Sequence, residues 1–163
     1  MSLHYNLSET DQGFYLFTTD LGLVYTVFFT SYSIDDKDGN SHTVYNFGFD
    51  RSGEFTAKKF GFEYDGRIKA TIVFIIKEFF QKNDDKTLLY FCYSGDEYSR
   101  HRSIIFNRWC NEELSDDIEH MRKTATYNDE ELHGGMLILK SNPLRDLLIN
   151  AISSYIDDTF NLK

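Results

Sequence analysis

The chain has 163 residues, 41% of them hydrophobic and 17% aromatic, and a net charge of −9. That length and apolar content suit one domain with its own core and exclude a disordered chain. The acidic balance argues against nucleic acid and anionic membranes as partners, because both are bound through positive charge; the apolar runs, such as Ile72–Ile76, fall far short of the roughly 20 residues that span a bilayer.

The first 11 residues, MSLHYNLSETD, carry neither a basic nor an apolar leader pattern. Cys92 and Cys110 belong to no Cys-x-x-Cys pair. Reduced thiols and a cytoplasmic location are therefore expected. The 15 Phe and 11 Tyr favour strands and a substantial sheet.

Residues 14–19 and 23–33 read as strands around a turn at Asp20-Leu21-Gly22, and Asp38-Gly39 signals a hairpin. Residues 42–49 alternate, with Thr43, Tyr45, Phe47 and Phe49 on one face and His42, Val44, Asn46 and Gly48 on the other. A turn at 50–53 then leads to a possible further strand over 54–64. Asp65-Gly66 opens a helix over 67–82 whose two adjoining stripes, Ile68, Ile72, Ile75, Phe79 and Val73, Ile76, Phe80, predict a central core helix. Residues 87–93 are apolar on both faces, as an interior strand is. A helix over 97–113, a hairpin of 118–127 with 135–141, and a last helix capped by Ser141-Asn142-Pro143 complete the chain. The apolar stripe of that helix is Leu144, Leu147, Leu148, Ala151, Ile152, Tyr155 and Ile156. The fold expected is α+β: a largely antiparallel sheet in the order β-meander, α, β, α, β-hairpin, α, with the helices on one face.

The junction before the second helix draws the most attention. Ser94 or Asp96 can cap the helix, and Asp96 can pair with Arg100 at i+4. Arg102 shares a face with Tyr98, Ile105, Phe106, Trp109 and Cys110, so the pattern places a guanidinium in an apolar seam, where it needs a carboxylate or an aromatic face. Two readings stay open. Asp96, Arg100 and Arg102, supported by the aromatic rings of Tyr98 and Trp109, form a polar site at the carboxyl end of an inner strand; or they are a helix cap and ion pairs that brace the junction.

The pattern of Cys92, Ser94, Asp96, Arg100, Arg102, Phe106 and Trp109, preceded by the segment from Tyr15 to Tyr25, resembles a family of small Bacteroidetes proteins that has no assigned activity. A weaker resemblance is one of topology. The order meander, helix, strand, helix, hairpin is similar to the later part of acetyl-CoA-dependent N-acyltransferases. That resemblance implies a pyrophosphate cradle on a Gly-rich turn opening the central helix. The corresponding stretch here, EYDGRIKAT, offers only Gly66 and Ala70, at the wrong spacing, and no room for a first pair of helices exists before residue 14.

His4, His42, His101, His120 and His133 show no metal-ligand spacing, though His120 and His133 could face each other across the hairpin. The stretch around Asp38-Gly39 lacks an acidic first ligand, Ile34 standing there, and is a turn rather than a calcium loop. A nucleophilic pairing of Cys92 or Cys110 with His101 is opposed by the apolar setting of both thiols. A basic group of Arg100, His101, Arg102, Arg108, Arg122 and Lys123 could serve an acidic protein partner.

The reading is a single domain, 1–163, with a β-meander at 14–64 and an α/β remainder at 65–163. It has no metal site and no cofactor. Its expected role is recognition or structural interaction, with a protein partner or a second copy of the chain. The alternative is an acyl-CoA-binding protein like the N-acyltransferases, a degenerate relative in preference to a working enzyme.

Overall fold

The computed structural model describes residues 3–52, 66–92 and 99–160. The elements are β1 (Ser8–Glu9), β2 (Tyr15–Thr18), β3 (Val24–Asp35), β4 (Ser41–Ser52), α1 (Gly66–Lys82), β5 (Thr87–Cys92), α2 (Ser99–Glu113), β6 (Ile118–Tyr127), β7 (Glu130–Leu139) and α3 (Arg145–Phe160). Among the described residues the strands form one seven-stranded sheet in the order β1-β2-β3-β4-β5-β7-β6. Every neighbouring pair is antiparallel except β4 with β5. The α+β class and the largely antiparallel sheet are as the sequence predicts.

The placement of the helices differs from expectation. α1 and α2 cover one face, through a core that includes Phe47, Ile72, Ile76, Leu88, Phe106 and Leu137. α3 covers the opposite face, through Val44, Leu89, Met136, Leu148, Ile152 and Ile156. The cause is visible in β5: Leu88 and Leu89 are both fully buried, one toward each core. A strand apolar on both faces needs a cover on both. Each such isoleucine or leucine removed from water contributes about 1.5–3 kcal/mol.

α1 is the core helix anticipated. Ile72, Val73, Ile75, Ile76 and Phe80 are buried, and Thr71 with them. Thr71 Oγ1 accepts from the Tyr5 N–H at 2.9 Å and donates to the Arg67 carbonyl at 2.5 Å, which ties the N-terminal segment to the helix. Lys69 reaches Glu112 and Glu113 of α2 at 2.5 and 3.1 Å. α3 is held alongside β6 by Arg145 Nε donating to Glu119 at 2.6 Å and by Lys123 with Asp157 at 3.0 Å. Its cap is as predicted, Asn142 Oδ1 accepting from the Leu144 N–H at 2.9 Å, but Leu144 itself is 41% exposed and lies outside the buried stripe.

Three local expectations change. β4 runs through Asp50 and Arg51 to Ser52 where a turn is predicted; the strand predicted over 54–64 lies outside the described residues. The β6–β7 turn is Asn128-Asp129, both with left-handed backbone (φ 52° and 64°), and β7 begins at Glu130 rather than near residue 135. Asn and Asp tolerate that region, so the pair makes a two-residue hairpin without glycine. Finally, Arg102 is exposed. The buried line of α2 is Ser103, Phe106 and Cys110, and Arg102 flanks it instead of standing within it.

Candidate functional site

β4, α1 and β5 form a β-α-β crossover, so α1 and α2 both begin at the carboxyl ends of the two parallel strands, where sites in such sheets collect. β4 and β5 pair at Tyr45 with Leu88 and at Asn46 with Leu89, and the register goes no further. Yet β4 continues to Ser52 and β5 to Cys92. The strands fork. The hairpin register of β3 with β4, closed by the Asp36 N–H on the Asn40 carbonyl, gives the even residues of β4 to β3. The Phe49 N–H and C=O are therefore turned into the fork. At its vertex the side-chain oxygen of Asn46 is buried without a hydrogen-bond partner among the described residues.

The start of α1 lies beside the N-terminal segment and the β2–β3 turn. Its first turn carries no acidic residue, and the helix dipole favours an anion there. Arg67 stands in that turn, its guanidinium 4.0 Å over the Tyr5 ring and 3.4 Å from Asp20. A cleft of about 490 Å³ opens beside it, with Tyr5, Asn6, Leu16, Phe17 and Asp20 among its walls.

The α2 face of β5 holds a second polar feature. The Tyr90 hydroxyl lies 2.5 Å from His120 Nε2. Burial pushes the Tyr90 phenol up, and burial followed by the Arg122 charge pushes His120 down to about 4. Both are thus neutral at pH 7. The phenol and Nε2 share one hydrogen bond, and Nδ1 is buried without a partner among the described residues. The contact crosses β7 at Gly135, where an added Cβ would fall 2.7 Å from both the Tyr90 hydroxyl and the Met121 carbonyl. Only glycine leaves that passage open.

Of the residues singled out from sequence, Asp96 and Tyr98 lie outside the described residues. Arg100 and Arg102 are exposed on the first turn of α2. Trp109 is half-buried, edge-on to Phe106 at 6.5 Å. Arg102 still acts on its surroundings: its charge lowers the Cys92 thiol, against the larger upward effect of burial. Burial pushes Cys110 up to about 12. Both thiols are therefore protonated at neutral pH, which removes them as resting nucleophiles. Tyr90 and the Asn46 oxygen were not marked by sequence reasoning. The signal for Tyr90 was the Gly134-Gly135 pair inside an apolar run, which marks a close approach as well as a turn. His120 and His133 do share the α2 face, but His120 stands opposite Leu137 and His133 opposite Thr124 and Cys92. Among the described residues no group of three His, Cys, Asp or Glu could hold a metal ion, and no helix is long and apolar enough to cross a membrane.

No curated protein and no solved structure matches the chain. One protein family does match, over residues 64–154, a span that takes in α1, β5, α2, the β6–β7 hairpin and most of α3 but not the Tyr15–Tyr25 segment. That span is more than half of the 163 residues, and the chain belongs to this family, described as Family of unknown function (DUF6169).

Proposed function

We propose that the chain is a single-domain, cytoplasmic acyl-CoA-binding protein of the N-acyltransferase type, with the thioester arm lying in the fork between β4 and β5. The observation that carries this reading is the fork itself. Two parallel strands whose ladder stops after two pairs leave unmatched ladder groups, and an extended chain bearing amides can add there as a short strand. The pantetheine arm of coenzyme A is such a chain, with two amides. We assign its pyrophosphate to the start of α1, on the β2–β3 side of β4, where Arg67, shared with Asp20, and the helix dipole supply positive potential in place of a glycine-rich cradle. The element order, with α1 crossing between the parallel strands, supports the same assignment, whereas the departure at EYDGRIKAT argues for a weaker hold on the phosphates. Protonated Cys92 and Cys110 favour direct transfer over a thioester on the protein.

Thermal unfolding in the presence of acetyl-CoA, free CoA and 3′,5′-ADP tests the reading. A site filled at 100 times its Kd stabilises by about 2.7 kcal/mol, which for a chain of this size raises Tm by roughly 5–10 °C. Acetyl-CoA and CoA are expected to shift Tm, with ADP giving less. No shift and no calorimetric heat with millimolar acetyl-CoA would end the proposal.

A further inference from the structure

Among the described residues β6 is an edge of the sheet, ten residues long and paired with β7 alone. The Lys140 N–H donates to the Asp117 carbonyl at 2.9 Å, so the odd residues of β6 bond to β7 and the even ones turn their main chain outward. His120, Arg122 and Thr124 thus present a row of N–H and C=O groups at the rim. Such a row is a template for another strand.

We infer that β6 pairs with β6 of a second copy of this chain, antiparallel and centred on Met121, so that two sheets join into one. Charge selects the occupant and the register. Side chains of odd residues in β6 lie on the α3 face, since Met121 and Ala125 pack in that core. Centring on Met121 sets Glu119, which also holds Arg145 of its own chain, opposite the partner's Lys123, and by the two-fold symmetry Lys123, which also holds Asp157 of its own chain, opposite the partner's Glu119, so that each pair extends an existing one across the seam. Opposite charges directly across an antiparallel pair contribute roughly 0.2–1 kcal/mol each, and like charges oppose pairing. Moving the centre to Arg122 sets that arginine against itself. Moving it to His120 leaves Glu119 opposite the partner's Met121. Only the Met121 register sets both acid–base pairs directly across the seam. The contact is isologous and closes on itself, so it makes a dimer rather than a fibre. The charges that blunt the edge against unrelated strands are those that match it to its own copy.

Sedimentation equilibrium of the whole chain from micromolar to several hundred micromolar tests this. The wild type is expected to approach twice its monomer mass. Lys123→Glu sets glutamate against glutamate and Glu119→Lys sets lysine against lysine, so each variant alone is expected to stay monomeric. Mixed in equal amounts they restore both pairs, and a heterodimer is expected. That recovery also shows that each variant is folded. A wild type that remains monomeric throughout, or a dimer indifferent to both substitutions, overturns the inference.

Discussion

The Tyr90 hydroxyl reaches His120 Nε2 at 2.5 Å only because Gly135, on the strand between them, has no side chain. Gly135→Ala forces a methyl against the phenol and against the fixed Met121 carbonyl, and overpacking of that kind costs about 1–3 kcal/mol. Tyr90→Phe removes the hydroxyl partner and strands a buried imidazole nitrogen, at a similar cost. In the double variant the phenol oxygen is absent, so part of the clash is relieved. Urea unfolding of the four proteins is expected to show the double variant less destabilised than the sum, by roughly 0.5–3 kcal/mol. Additive losses would mean that the two residues do not meet over β7.

Two titrations divide the acid limb of stability between them. His120 has a folded value of about 4 against an ordinary 6.5, so the unfolded chain binds the proton first. Stability from this group is complete above 6.5 and falls as the pH drops from 6.5 through 4. Asp36 is held at about 2 against an ordinary 3.8, chiefly by the hydrogen bond with His42 at 2.8 Å and next by the Asn40 amide. Its share is present above 3.8 and disappears as the pH drops through 2. The comparison to make is the unfolding free energy of wild type and His120→Asn at each pH. Their difference is expected to shrink from pH 6.5 down to 4 and to change little below it; a difference constant across that range would contradict a neutral buried His120.

Arg102 and Phe106 lie one turn apart on α2 and carry opposite expectations. Phe106 is 6% exposed and packs against Phe47 and Tyr90 at 6.0 and 4.7 Å between ring centroids. Phe106→Ala is expected to cost about 3–5 kcal/mol. Arg102 is exposed, where ion pairs contribute about 1 kcal/mol or less. Arg102→Ala is therefore expected to change stability by no more than that in thermal or urea unfolding. A loss above 2 kcal/mol would restore the guanidinium to the seam.

That helix also shows where the sequence was legible. α1 is unambiguous because its two stripes spread over most of the circumference, so no error of phase can hide them. β5 declares itself because both faces are apolar. α2 has a single narrow stripe, and a phase error of one residue moves the seam from Ser103 to Arg102. Serine at the buried position, with an oxygen that finds no partner among the described residues, gives no hydrophobic signal at all. The Gly134-Gly135 pair read as a turn because glycine in a strand is intelligible only once the Tyr90 ring is known to cross there. The fork was invisible for a different reason. Alternation fixes which face a residue occupies, and carries no information about where two strands stop pairing.

The fork makes a last prediction, at Asn46. Its Oδ1 is buried without a partner where β4 leaves β5. An unpaired buried acceptor costs about 1–3 kcal/mol, and an apolar side chain of similar volume avoids that cost. Asn46→Leu is expected to raise the stability of the free protein by about 1 kcal/mol, or roughly 2–4 °C in Tm. If that oxygen accepts an amide N–H from an arm laid in the fork, the same variant gains less from acetyl-CoA than wild type does. The two effects have opposite signs, so a general loss of folding cannot imitate them. A variant that is less stable when free yet gains as much from the ligand would place Asn46 outside the site and leave its oxygen a purely structural matter.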